Sequence, residues 1–330
     1  MAEYKCMVSI LCTAYNHEQY LRQCLDGFVC QKTDFPFEVL VNDDCSKDGT
    51  ADIIREYAAK YPDIIRPFYQ SENLFSKMKM PGLFGTVFFP NVRGRYIALC
   101  EGDDYWCDET KLQRQVDFLE THSDYSACVH NTNLQFCTAS EADGPLITDR
   151  SGDRDVGFFD VVQGMSHAFH TSSILARSEY IVKPPEFFYV AGAYGFTDYA
   201  IGLWLTMNGR VRFIDREMSV YRISSNPEAW SSNLGREYDR LREFIEGEIA
   251  MLENLLPMLD GEEKEAAERE LLLRHYELYD ITGEVAMLFE KPFIGIYRSK
   301  PLSYRVKTLI KRLFPTLYNF YRKKQGYSDF

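Results

Sequence analysis

Two short apolar runs in the first hundred residues each stop abruptly at acids, and this pattern constrains the fold more than any other feature of the chain. Residues 37–41 (FEVLV) run into Asn42-Asp43-Asp44, and residues 96–100 (YIALC) run into Glu101-Gly102-Asp103-Asp104. A third run, residues 7–14, ends in the polar loop Thr13-Ala14-Tyr15-Asn16. Continuous apolar runs of this length predict strands buried on both faces, as parallel pairing requires. Between them, Leu21, Leu25 and Phe28, and later Ile53, Ile54, Tyr57 and Ala58, recur at helical spacing behind Thr50, an expected N-cap. With a further strand over 64–69, the alternation predicts a mostly parallel α/β sheet flanked by helices. Open sheets of this kind bind ligands beyond the carboxyl ends of their strands, where both acidic clusters fall. One such cluster reads equally well as a turn or a helix cap. Two clusters beside a polar loop predict a site.

Further along, the pattern predicts a helix over 111–120, a strand over 125–131 and a polar surface loop over 137–155. It then predicts a strand over 169–177, a helix over 198–208 with Gly209 as its C-cap, and a closing strand region over 211–221. From about residue 235 the character changes. Leu241, Phe244, Ile245, Ile249, Leu252, Leu255 and Leu259 form one helical stripe, and Leu271, Leu272, Leu278 and Val285 form a second after Asp260-Gly261. Three parts follow: an α/β domain over 1–233, an appended helical hairpin over 234–297, and a tail over 298–330.

The formal net charge is −12, but nine basic residues against one acid give the last 33 residues +8 and leave −20 for the rest. An acidic body argues against nucleic acid as the main partner. In the tail, Leu302, Val306, Leu309, Ile310, Leu313, Leu317 and Phe320 stand beside the basic residues, with Pro315 interrupting the pattern. Two readings are open: a helix lying on an anionic membrane, or a helix packed on the acidic body by the same charges. The first is favoured, because it would present a lipid-linked acceptor. Nine scattered cysteines form no CxxC pair, which predicts reduced thiols. The N-terminus lacks a signal-peptide pattern and no apolar run reaches a membrane-spanning length. The expected location is therefore the cytoplasm, with the tail offering peripheral contact at the inner face of the cell membrane.

Carboxylates one and two residues apart on a turn, at Glu101, Asp103 and Asp104, suit hard cations such as Mn²⁺ or Mg²⁺, which favour oxygen ligands and share them with phosphate. A metal so placed makes a diphosphate a better leaving group. Asp43 and Asp44 are placed to accept hydrogen bonds from a base or a ribose, and Tyr15 to stack on a base. His170 is a candidate for contact with acceptor or diphosphate, although a histidine beside a strand is more often structural.

As a set, VSILCTAYNHEQYLRQCL, EVLVNDDCSKDGT, RYIALCEGDDYW with DETKLQRQVDFLE, HTSSILAR and FTDYAIGLWLTMNGRVRFIDREMSVYR resemble family 2 glycosyltransferases with the GT-A fold, over roughly the first 230 residues. The resemblance implies an inverting enzyme that moves one sugar from a UDP-sugar to a hydroxyl of a glycan or lipid-linked acceptor. It implies that Thr13, Ala14 and Tyr15 line the uridine pocket, that Asp43 contacts the base, and that Asp44 and Asp104 support the nucleotide site. Asp103 and Glu101 stand at the metal-binding DxD positions. Asp198 matches the catalytic base, and as the start of a helix it also reads as an N-cap. Trp106 and Arg222 join His170 as candidate donor or acceptor contacts. Three departures stand out: Glu101 replaces the first Asp of DxD, Thr197 precedes the base, and Tyr221-Arg222 is followed by Ile223-Ser224 rather than His. The processive QxxRW motif is absent, which favours single-sugar transfer. A nucleotidyltransferase would carry a glycine-rich phosphate loop after the first strand, and none is present. A non-enzymatic sugar-binding or scaffold relative is the remaining alternative, and the acids at 103, 104 and 198 count against it.

Overall fold

The computed structural model describes residues 6–136, 143–148, 151–164, 168–185, 187–190, 197–223, 238–314 and 316. The chain forms two compact units, residues 1–232 and 233–330.

The first unit is built on strands β1 (Cys6–Ala14), β2 (Phe37–Asp43), β3 (Ile65–Tyr69), β4 (Gly94–Leu99), β5 (Tyr105–Trp106), β6 (Tyr125–Phe136), β7 (Gly144–Pro145), β8 (Arg154–Val156), β9 (Leu175–Arg177) and β10 (Arg210–Ile223). The main order is β3-β2-β1-β4-β9-β6-β10-β5. The first four strands pair in parallel, as their apolar runs predict. β9 runs antiparallel to β4 and β6, β10 is parallel to β6, and β5 closes the edge antiparallel to β10. The sheet is thus parallel in its N-terminal half and mixed beyond it.

Helices α1 (Leu21–Val29), α2 (Thr50–Lys60) and α4 (Lys111–Thr121) share one core with the sheet, while α3 (Leu74–Leu83) follows β3. Val8, Ile10, Cys12 and Ala14 of β1 meet Leu25 and Phe28 of α1, Ile54 of α2 and Val116 of α4. Burying each of the larger side chains contributes about 1.5–3 kcal/mol. The alternation along β1 therefore fixes which strand atoms face helices and which end of the strand carries the loop.

Three local expectations change. The 169–177 segment is mostly not strand: Thr171–Ser173 make a turn of 3₁₀ helix, and only Leu175–Arg177 pair. The 211–221 region is one long bulged strand, Arg210–Ile223. Thr50 does not cap its helix, because its Oγ1 accepts the His17 N–H at 2.8 Å and ties the first loop to the second. The short helices α5 (Phe158–Val161), α6 (Ser178–Ile181) and α7 (Phe187–Val190) precede α8 (Thr197–Asn208). Gly209 after α8 is needed for close packing rather than for a left-handed cap: a Cβ there would lie 2.9 Å from the Ser126 nitrogen.

The second unit contains α9 (Tyr238–Leu255), α10 (Gly261–Thr282), α11 (Ile294–Ser299) and α12 (Leu302–Leu313). Arg274 of α10 reaches Glu248 of α9 at 3.0 Å and Glu270 at 2.7 Å, a largely buried charge cluster that sets the pairing of the two helices. No helix among the described residues is long and apolar enough to cross a membrane, and the described cysteines are free thiols.

Candidate active site

The loops after β1, β2 and β4 are laced together by backbone hydrogen bonds. Asp44 N–H donates to Ala14 O at 2.9 Å, and Gly102 N–H donates to Thr13 O at 2.8 Å. Asn16 takes a left-handed φ of 54°, a conformation Asn tolerates, and its Oδ1 accepts Lys47 N–H at 2.9 Å. Tyr15 is exposed at the rim. Thr13 and Ala14 therefore sit at the strand end with the neighbouring loops fastened against them.

The two acids after β2 divide their work. Asp43 is buried and accepts Ser46 N–H at 3.3 Å, which closes its turn. Asp44 accepts the N–H groups of Leu74 (2.8 Å) and Phe75 (2.9 Å), the first residues of α3. It caps that helix, a contribution of about 1 kcal/mol.

In the acidic turn after β4, Gly102 allows the closest approach. A Cβ there would meet His17 Nδ1 at 2.9 Å and Leu21 Cδ1 at 3.1 Å. On either side the carboxylates point different ways. Asp104 is buried and accepts Arg222 N–H at 3.0 Å, with His170 Nδ1 4.0 Å from its Oδ2. Burial first, and then Asp103 and Glu101, push the Asp104 carboxyl well above its ordinary range. Burial pulls His170 down to about 4, so at neutral pH the imidazole is uncharged. The contact is therefore not an ion pair. His170 stacks on Tyr221 with ring centroids 4.3 Å apart.

Asp103 faces the other way. Its Oδ1 is buried without a hydrogen-bond partner, and its Oδ2 lies 3.9 Å from His17 Nε2. His17 Nδ1 is likewise buried and unsatisfied. A buried carboxylate oxygen without a donor is costly, and a hard cation is a fitting partner for it. Two residues before Asp103, the Glu101 carboxyl is raised, by desolvation first and then by Asp103 and Asp198. The described residues contain no group of three His, Cys, Asp or Glu side chains set to hold a metal.

Asp198 lies in the first turn of α8. Its Oδ1 accepts Tyr199 N–H at 2.8 Å and its Oδ2 is 3.4 Å from the Thr171 hydroxyl. Burial pushes its carboxyl up to about 6. It is a carboxylate close to half-ionised in mildly acidic water, the property a general base for a hydroxyl needs. Asp198 adds to the raised Glu101 carboxyl as the third cause, after desolvation and Asp103.

Two of the candidate contacts are buried and engaged within the fold. Trp106 is in the core: its Nε1 donates to Ser172 O at 3.0 Å, its ring packs edge-on against Phe28, and Lys111 Nζ sits 4.1 Å over it. Arg222 is buried and donates to Asp103 O and Gln23 Oε1, with its guanidinium 4.4 Å from the Tyr105 ring centre. It locks the acidic turn to α1 and β10. The sequence reading passed over His17, Gln23 and Thr171. Only His17 left a signal, as the residue that closes the polar loop after β1.

Acidic loops at the carboxyl ends of the strands of a largely parallel α/β sheet define a class of fold that binds ligands at that end. Residues 9–138 match the family described as Glycosyl transferase family 2. The uncharacterized protein Rv1520 of Mycobacterium tuberculosis is 32% identical over 284 residues, 84% of this chain and 72% of its own length. The poly(ribitol-phosphate) beta-N-acetylglucosaminyltransferase TarS of Staphylococcus aureus is 31% identical over 119 residues, 35% of this chain and 19% of TarS. The crystal structure of TarS 1–349 in complex with UDP-GlcNAc superposes with a TM-score of 0.60 at 19% identity, covering 96% of this chain and 92% of that one. A mannosyltransferase from Pyrobaculum calidifontis, in complex with GDP-Man and Mn²⁺, superposes with a TM-score of 0.50 at 17% identity, covering 94% and 88%. The chain belongs to glycosyltransferase family 2, with the GT-A fold.

Proposed function

We propose that this glycosyltransferase moves one sugar from a UDP-sugar to a hydroxyl of a glycan or lipid-linked acceptor, with inversion at the anomeric carbon, in surface polysaccharide or glycoconjugate synthesis in the cytoplasm. The observations that support the reading are Asp103, with its unpartnered buried oxygen, and Asp198, with its raised carboxyl and its electrostatic effect on Glu101. Thr13, Ala14 and Tyr15 line the nucleoside side, with Asp43 toward the base. Asp44 holds the loop that shapes it, through its cap on α3. Asp103, with Glu101 beside it, would hold Mn²⁺ or Mg²⁺, which supplies charge neutralisation for a departing diphosphate. Asp198 takes the proton from the acceptor hydroxyl as that oxygen attacks the anomeric carbon from the face opposite the leaving group. The TarS complex with UDP-GlcNAc and the mannosyltransferase complex with GDP-Man and Mn²⁺ support a nucleotide-sugar and a divalent cation on this fold.

The test is a panel of UDP- and GDP-sugars incubated with the full chain, Mn²⁺ and extracted lipid-linked glycans, followed by NMR of the product. The expected result is a β-linked product from an α-linked UDP donor, lost in Asp198→Asn. Retention of configuration, or full transfer by Asp198→Asn, would overturn the assignment.

A further inference from the structure

Helix α12 wears its amphipathicity inside out. At about 100° per residue, Leu302, Val306, Leu309, Ile310 and Leu313 fall on one stripe (i, i+4, i+7, i+8, i+11). That stripe is exposed: Leu302 is 67% accessible and Leu313 60%, and Phe314 beyond the helix is 57% accessible. On a surface helix, such a stripe ordinarily faces the core. Here the roughly opposite face does the packing. Thr308 is buried, Tyr304 donates to Asp280 at 2.7 Å, and Lys311 pairs with Asp280 at 2.7 Å. The Tyr297 hydroxyl donates to Arg305 O at 3.0 Å. The helix is thus held in place by its polar side, on α10 and α11, and presents its apolar side outward.

The basic residues border the stripe. Arg305 and Arg312 fall along one edge and Lys307 along the other, and the Arg312 guanidinium rests 4.4 Å from the Phe289 ring centre. We propose that the exposed face of α12 docks on an anionic lipid bilayer, its leucines and isoleucine entering the headgroup boundary and its arginines and lysine meeting lipid phosphates.

Charge decides among the occupants of this face. The last 33 residues carry +8 and the rest −20, so an anionic surface attracts the chain at this end and repels it elsewhere. A second copy laid on the same stripe would bring two basic borders together. The segment after residue 314 adds Arg322, Lys323 and Lys324, and would bring the same repulsion. Its Tyr318, Phe320, Tyr321, Tyr327 and Phe330 are residue types that favour the bilayer interface.

The experiment is sedimentation of the full chain with phosphatidylcholine vesicles, with and without phosphatidylglycerol, at two salt concentrations. The expected result is binding only with phosphatidylglycerol, weakened by salt, and reduced by about tenfold or more in Leu309→Glu/Ile310→Glu. Lys307→Glu should weaken it by several-fold. Both variants change exposed side chains and should melt with the wild type, so a loss of binding is not a loss of fold. Light scattering coupled to gel filtration, without lipid, measures the competing occupant. Equal binding by the double variant would overturn the proposal, as would binding indifferent to phosphatidylglycerol. So would a dimer that the double variant dissolves. The readout is lipid binding, so it stands or falls separately from the identity of the donor sugar.

Discussion

The turn at residues 101–104 and the helix α12 break the usual partition of polar and apolar groups in opposite directions. The turn buries polar atoms without partners: Asp103 Oδ1 and His17 Nδ1 are enclosed and unsatisfied. The helix exposes apolar side chains that a core would ordinarily take. In both, the surrounding structure holds the unfavourable arrangement fixed. Arg222, Gly102 and Gln23 fasten the turn, and Asp280, with Tyr304 and Lys311, fastens the helix. The comparison teaches that a group left unsatisfied on a rigid support is a place to look for a ligand, and its polarity guides the proposal: a cation with a diphosphate at one place, a lipid surface at the other.

The largest expected effect separates chemistry from binding. Asp198→Asn should lower kcat by about 10²–10⁴-fold, the range for losing a general base, while leaving nucleotide affinity within about twofold of wild type. Steady-state kinetics beside a nucleotide titration would check this, and a parallel fall in affinity would assign Asp198 to the donor pocket instead. The same residue predicts a pH profile. A base must be ionised to accept a proton, so activity of the free enzyme should fall about tenfold per pH unit below about 6, where burial places the Asp198 carboxyl. A profile flat from pH 5 to 8 would contradict it.

Supports of the turn should behave differently from the residues they aim. Arg222→Met removes the charge beside Asp104 and the donors to Asp103 O and Gln23 Oε1, and should cost about 3 kcal/mol by denaturant unfolding. Gly102→Ala should push His17 and Leu21 away, at a cost of about 1–3 kcal/mol, and weaken nucleotide binding along with stability. Trp106→Phe removes one buried hydrogen bond to Ser172 O and should cost about 1–2 kcal/mol with no change in KM. A raised KM there would return Trp106 to the substrate side.

How much was legible depended on whether a local pattern carried the information. The runs ending at Asn42 and Glu101 announced β2, β4 and the strand-end crevice, because a buried parallel strand is written as continuous apolar sequence. The segment 169–177 misled for the same reason: Phe169, Ile174 and Leu175 are buried, yet Thr171–Ser173 turn to bring a hydroxyl toward Asp198. The roles of Trp106 and Arg222 were hidden because their partners, Ser172 and Gln23, are 66 and 199 positions away in the chain. The inverted face of α12 was half visible. Its stripe and charges stand in the sequence, but which side faces Asp280 is a tertiary fact.

The central claim is the proposal that Asp103 would hold a divalent cation when a nucleotide diphosphate is bound. The most direct measurement is the melting temperature of the full chain with UDP, GDP, dTDP and CDP, each with and without Mn²⁺, for wild type and Asp103→Asn. A ligand that binds only the native state raises the melting temperature by mass action. A rise with UDP that requires Mn²⁺, and disappears in Asp103→Asn, is the result expected. A rise with UDP that is equal without Mn²⁺ and equal in Asp103→Asn would contradict the account.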